Sequence, residues 1–166
     1  MTRAYLIRIR NFVILVLLQI LIFSNIHLFG YATAYLYLLF LLKLPRHTTR
    51  NELLLWGFLA GFIVDIFGNT PGINTAAATF VAFARNYILA SFTKKDEADD
   101  YIPAASTIGS SGYIGYSLTC IIIFYVALYL LELFTINYPV TLLISVTASS
   151  LLTELFILVI ECFNRK

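Results

Sequence analysis

Apolar residues fall in six runs separated by short polar breaks: Asn11–Phe29, Tyr31–Leu44, Leu53–Phe67, Asn74–Phe92, Gly112–Phe134 and Pro139–Phe163. A helix crossing a bilayer takes about 20 predominantly apolar residues. The first, fourth, fifth and sixth runs meet that length, whereas the second and third are short. The basic residues decide in favour of the short ones. Arg3, Arg8 and Arg10 precede run one, Lys43, Arg46 and Arg50 lie between runs two and three, Lys94 and Lys95 follow run four, and Arg165 and Lys166 come last. With six crossings, ten of the eleven Lys and Arg residues gather on one face, and only Arg85 lies within a span. The bias of basic residues toward the cytoplasm then puts both termini inside. Dropping either short run would split this pattern. The pattern therefore predicts an all-α integral membrane protein, a single domain over residues 1–166 with six transmembrane helices.

Composition agrees. Hydrophobic residues make up 60% of the chain and charged residues 12%, against about 25% charged in soluble domains. A net charge of +2 is too small to point to nucleic acid. Ala32-Thr33-Ala34 resembles a leader cleavage site, but the apolar run before it exceeds the ~7–15 residues of a signal peptide and five more runs follow. The polar stretch Lys94–Asp100 reads as a solvated cytoplasmic loop, with docking of a cytosolic partner as the alternative. External turns are expected at Gly30, Gly68–Gly72 and Thr135–Tyr138, and no run is left over for a soluble domain.

The polar residues inside the spans are the candidate functional groups. On a helix Gly57, Gly61, Asp65 and Gly68 share one side. Small residues admit another backbone, and an acid in hydrocarbon must face protein. This face either contacts a partner or packs on the chain's own helices. Asp65 lies within about a turn of the outer surface. After Pro71-Gly72-Ile73, Asn74 is placed to cap the next helix, so Asp65 is expected to accept hydrogen bonds from Asn69, Thr70 or the free amides of that turn. A contact with a ligand or partner at the outer surface is the other reading.

Arg85, Glu154 and Gln19 fall in one layer when depth is counted at 1.5 Å per residue. An isolated guanidinium there costs at least ~2.5–3.5 kcal/mol. Arg85 is accordingly expected to pair with Glu154, with Gln19 as a third member, as a clamp between helices or as a proton or ion relay. Thr147, Ser150, Glu154 and Glu161 give span six a polar flank. Asn74, Ala78, Ala82 and Arg85 give span four a matching face, and Gly109, Gly112 and Gly115 mark a close crossing or a bend in span five. Cys120 and Cys162 lack metal-ligand spacing, and His27 and His47 lie on opposite sides of the membrane. No catalytic set, metal site or cofactor motif is present, so no enzyme is expected.

The segment GFIVDIFGNTPGIN (Gly61–Asn74), its AAATFVAFAR continuation to Arg85, and QILIFSNIHLFGYATAYLYLLFLL (Gln19–Leu42) resemble the MreD family of bacterial rod-shape proteins. The likeness is closest over residues 11–90. It implies a non-enzymatic subunit of the cell-elongation machinery, with a six-helix fold similar to the substrate-binding membrane component of energy-coupling vitamin transporters. It further implies association with a single-span MreC-like scaffold and, through it, with MreB filaments and the RodA–transpeptidase synthase of peptidoglycan. The motif falls on Gly61, Asp65, Pro71, Gly72 and Asn74, and the family assigns no catalytic residue. The competing expectation is a transport or small-ligand-binding component, which requires a solvent-reachable cavity bordered by Asp65 and Glu132.

Overall fold

A computed structural model describes the backbone of residues 2–22, 33–93, 101–132 and 139–164, and side-chain surroundings for residues 5–22, 33–93, 101–132 and 144–163. Six helices follow in order: α1 (Thr2–Leu21), α2 (Leu38–Leu42), α3 (Arg50–Gly68), α4 (Ile73–Phe92), α5 (Ser110–Glu132) and α6 (Pro139–Asn164). There is no strand among the described residues. Among the described residues, three helices are long and apolar enough to cross a membrane: α3, α5 and Ile144–Phe163 of α6. Their outward faces are apolar too, with Leu55, Ile66, Phe67, Leu151, Leu155 and Phe163 all more than half exposed. So much apolar surface turned outward suits lipid and not water.

The apolar runs anticipate α3 to α6 closely. Helix α1 starts nine residues before the expected Asn11, carrying Arg8 and Arg10 within it. Residues 23–32, 94–100, 133–138 and 165–166, and with them Gly30, His27, the acidic loop, the turn at 135–138 and the terminal basic pair, lie outside the described residues.

The second run departs from expectation. Residues 33–35 are not helical, and helix forms only over Leu38–Leu42. Five residues at 1.5 Å each span about 7.5 Å, far short of a ~30 Å hydrocarbon layer. All five are buried, as are Leu36, Tyr37 and Leu44. The run is apolar because it is the centre of the bundle, contacting α1, α3 and α4. An aromatic triangle anchors it: Phe40 of α2, Phe12 of α1 and Trp56 of α3, with ring centroids 5.0–5.2 Å apart. Two of the pairs meet edge-on and Phe12–Trp56 is tilted; such aromatic pairs add about 0.5–1.5 kcal/mol each beyond burial.

Around this centre α3 packs on α4, α4 on α5, α5 on α6, and α1 on α3. The α3 start carries a cap, since the Thr49 hydroxyl accepts the Glu52 amide at 3.4 Å. At its far end Asn69 adopts a left-handed conformation (φ 52°) and its amide returns to the Asp65 carbonyl, the common way of ending a helix. At the α4–α5 crossing, a Cβ on Gly115 would sit 2.5 Å from the Phe92 ring. Gly115 therefore marks a close approach and not a bend.

Candidate functional site

Asp65 ties the end of α3 to the start of α4. Its Oδ1 accepts the Thr70 hydroxyl (2.7 Å) and the Asn74 amide (3.0 Å). Its Oδ2 accepts both the amide (2.8 Å) and the hydroxyl (2.6 Å) of Thr75. The Asn74 and Thr75 amides belong to the first turn of α4, which has no intrahelical acceptors for them. The carboxylate thus caps one helix from another, beside the positive end of its dipole. The cap residue by position is Gly72 (φ 79°), which offers no side chain. Asn74 was expected to cap this helix. It lies instead inside the first turn and is among the groups capped, because the left-handed backbone needed to start α4 suits glycine.

Below this knot the two helices touch backbone to backbone. A Cβ on Gly61 would lie 2.5 Å from both the Asn74 carbonyl oxygen and the Thr75 Cα. One on Gly57 would lie 2.8 Å from the Ala82 Cβ and 3.0 Å from the Ala78 carbonyl oxygen. The Gly57/Gly61/Asp65 face is therefore spent on α4, against the small-residue side of that helix read from Asn74, Ala78 and Ala82. Pro71 and Gly72 are exposed in the connecting turn. On the outward surface of the pair, an open groove of about 1060 Å³ is lined by Phe58, Phe62, Ile66 and Phe80, with Asp65 and Thr75 as polar members. Glu132 is not among its walls.

The expected Arg85–Glu154–Gln19 cluster is not formed, although all three are buried. Arg85 donates through Nη2 to the carbonyls of Leu42 (3.1 Å) and Leu44, and through Nη1 to the Asn86 side chain (3.0 Å). It closes the C-terminus of α2, where the last carbonyls lack helical donors and the dipole is negative. The Tyr116 hydroxyl also reaches Leu42, at 3.3 Å. Glu154 accepts instead from the Ser117 hydroxyl of α5 at 2.7 Å. Gln19 serves the other side of α2: its amide nitrogen donates to the Ala34 carbonyl (3.0 Å) and its oxygen accepts the Leu36 amide (2.7 Å). Backbone carbonyls of a broken segment replace the carboxylate that had been expected.

Residues 33–35 are satisfied in the same way. The Thr33 amide donates to the Ser149 hydroxyl (3.2 Å), the Tyr35 amide to Thr153 (3.3 Å), and the Tyr125 hydroxyl to the Thr33 carbonyl. Non-helical backbone within a membrane protein persists only when such partners surround it. Ser149, Thr153, Tyr125 and Thr75 escaped the sequence reading. The signal existed for two of them: Ser145, Ser149, Thr153, Ile157 and Glu161 repeat every four residues, and all are buried. The flank read from Thr147 and Ser150 lies partly off this stripe. Thr147 is exposed and Ser150 donates to the Thr147 carbonyl. Glu161 meets Lys43 at 2.7 Å and the Ala105 amide at 3.1 Å.

The chain matches no protein-family model, no curated protein and no solved structure.

Proposed function

We propose that this chain is a non-catalytic membrane scaffold of the bacterial cell-elongation complex, of the MreD kind, supporting cell shape and peptidoglycan synthesis through helix–helix contacts. In this reading it sits in the inner membrane with both termini cytoplasmic and six crossings, the second being the broken segment centred on α2. Discontinuous membrane helices are tolerated where protein surrounds them. Its partner is a single-span MreC-like protein, through which it meets MreB filaments and the RodA–transpeptidase pair.

The observation that carries the proposal is the use made of the Gly61–Asn74 segment. The glycines bring α3 and α4 into backbone contact, and the Asp65 carboxylate is consumed in holding their turn. In this reading the site is structural. It stiffens a helix pair whose outward side is a ridge-and-groove surface with Phe58 stacked on Phe62 at 5.8 Å, fitted to a transmembrane helix. A transport component would instead need a cavity shared by Asp65 and Glu132, and Glu132 is not among the residues lining the groove beside Asp65.

The test is affinity isolation from native membranes in mild detergent. Recovery of a single-span membrane protein with a coiled-coil periplasmic region is the expected result. Retention of a small molecule alone would favour the transport reading.

A further inference from the structure

A second groove, of about 540 Å³, lies at the other end of the bundle, between α1 and the turn that ends α2. Three cations line it, Arg8 and Arg10 from α1 and Lys43 after α2, together with apolar side chains including Ile14, Leu15 and Leu39. Both walls share one polarity gradient. Arg10 and Ile14 are one turn apart on α1, and Lys43 and Leu39 are one turn apart across the end of α2. Each wall therefore offers a cation at the mouth and an aliphatic side chain about 6 Å away along the helix.

The charges at the mouth do not cancel. Arg8 is paired with Glu52 at 2.9 Å and Lys43 with Glu161 at 2.7 Å. Arg10 is exposed and, among the described residues, reaches the side-chain oxygen of its neighbour Asn11, at 3.3–3.4 Å. Among the described residues, three cations against two carboxylates leave one positive charge, seated on Arg10. Its ligand should carry one negative charge above an aliphatic tail.

We propose that this groove is a binding site for an anionic phospholipid, with its phosphodiester at Arg10 and Lys43 and an acyl chain along Ile14, Leu15 and Leu39. Basic pockets between membrane helices hold acidic lipid headgroups on just this physical basis. The inference rests on the membrane placement proposed above but not on any protein partner. Nor does it depend on which face is cytoplasmic.

The test is native mass spectrometry of the detergent-released full chain, titrated with phosphatidylglycerol and with phosphatidylcholine of the same acyl chains. The expected result is at least about fivefold tighter binding of phosphatidylglycerol, the factor one basic residue contributes at an anionic surface. Arg10→Gln should abolish that preference while Arg10→Lys keeps it. Ile14→Trp, which fills the groove from an exposed position, should weaken both lipids. Both positions are exposed, and unchanged melting temperatures would show that the variants fold. Equal binding of the two lipids, or an unaltered preference in Arg10→Gln, overturns the proposal. So does displacement of phosphatidylglycerol by an equal concentration of glycerol phosphate, which would reveal an anion site without a chain site. Partner capture plays no part in this measurement, so its failure is distinct from failure of the scaffold reading.

Discussion

Asp65 and Thr75, ten residues apart on two helices, are joined by both an amide and a hydroxyl hydrogen bond to the same carboxylate oxygen. This link, with the bonds from Thr70 and Asn74, makes the turn between α3 and α4 a closed knot. Hydrogen bonds to charged groups contribute about 1.5–3 kcal/mol each, and an N-cap about 1 kcal/mol. Because these bonds share one acceptor group, their energies do not add.

Asp65→Ala is expected to lower stability by about 2–4 kcal/mol, because it strips the first turn of α4 of its acceptors. Asp65→Asn, which keeps one oxygen, should lose less. Thermal unfolding in detergent would check this order, and an unchanged melting temperature for Asp65→Ala would refute the capping role.

Gly61→Ala and Gly68→Ala should behave oppositely. At Gly61 the new methyl meets backbone atoms at 2.5 Å, an overpacking that costs about 1–3 kcal/mol. At Gly68 the nearest atom is the Thr70 hydroxyl oxygen, 3.4 Å away. Alanine there should be neutral or stabilising by up to about 1 kcal/mol through helix propensity. Equal effects in the same unfolding assay would contradict the close approach of α3 and α4.

Arg85→Ala should destabilise by about 3 kcal/mol or more, since buried carbonyls of α2 lose a charged donor. Adding Glu154→Ala should not rescue it. Glu154 is bonded to Ser117 and not to Arg85, so the two losses should add to within about 0.5 kcal/mol in a double-mutant cycle. A substantial recovery in the double variant would restore the ion pair that the structure lacks.

Gln19→Leu removes a donor and an acceptor from the other side of α2 and leaves two buried backbone groups unmet. A loss of about 2–4 kcal/mol is expected. Hydrogen exchange should show the Leu36 amide opening first, whereas protection unchanged at that amide would be inconsistent with the assignment.

Much of this architecture can be read from the residues, and the reasons for the rest are physical. Helices α3 to α6 are legible because long apolar runs bounded by Pro, Gly and charge admit few alternatives. The role of Asp65 follows from its depth and from the Pro71-Gly72 turn beside it. The break in the second run is hidden, because a segment buried on all sides by protein has the same composition as one bathed in lipid. The partner of Arg85 is hidden for a related reason. Depth along a helix assigns a layer but not an azimuth, and backbone carbonyls freed by a broken segment leave no mark in the sequence. The stripe from Ser145 to Glu161 was visible as a four-residue repeat, but choosing it over Thr147 and Ser150 required knowing which side of α6 meets residues 33–35.

The central claim is that the chain works by presenting the outward side of the α3–α4 pair to another membrane helix. Photo-crosslinking in living cells tests it most directly, with the reactive residue placed in turn at Phe58, Phe62, Ile66 and Phe80. The account predicts that these positions capture one single-span membrane protein, and that Leu151 and Leu155, exposed on α6, do not. Crosslinks to lipid alone at all four positions would contradict it.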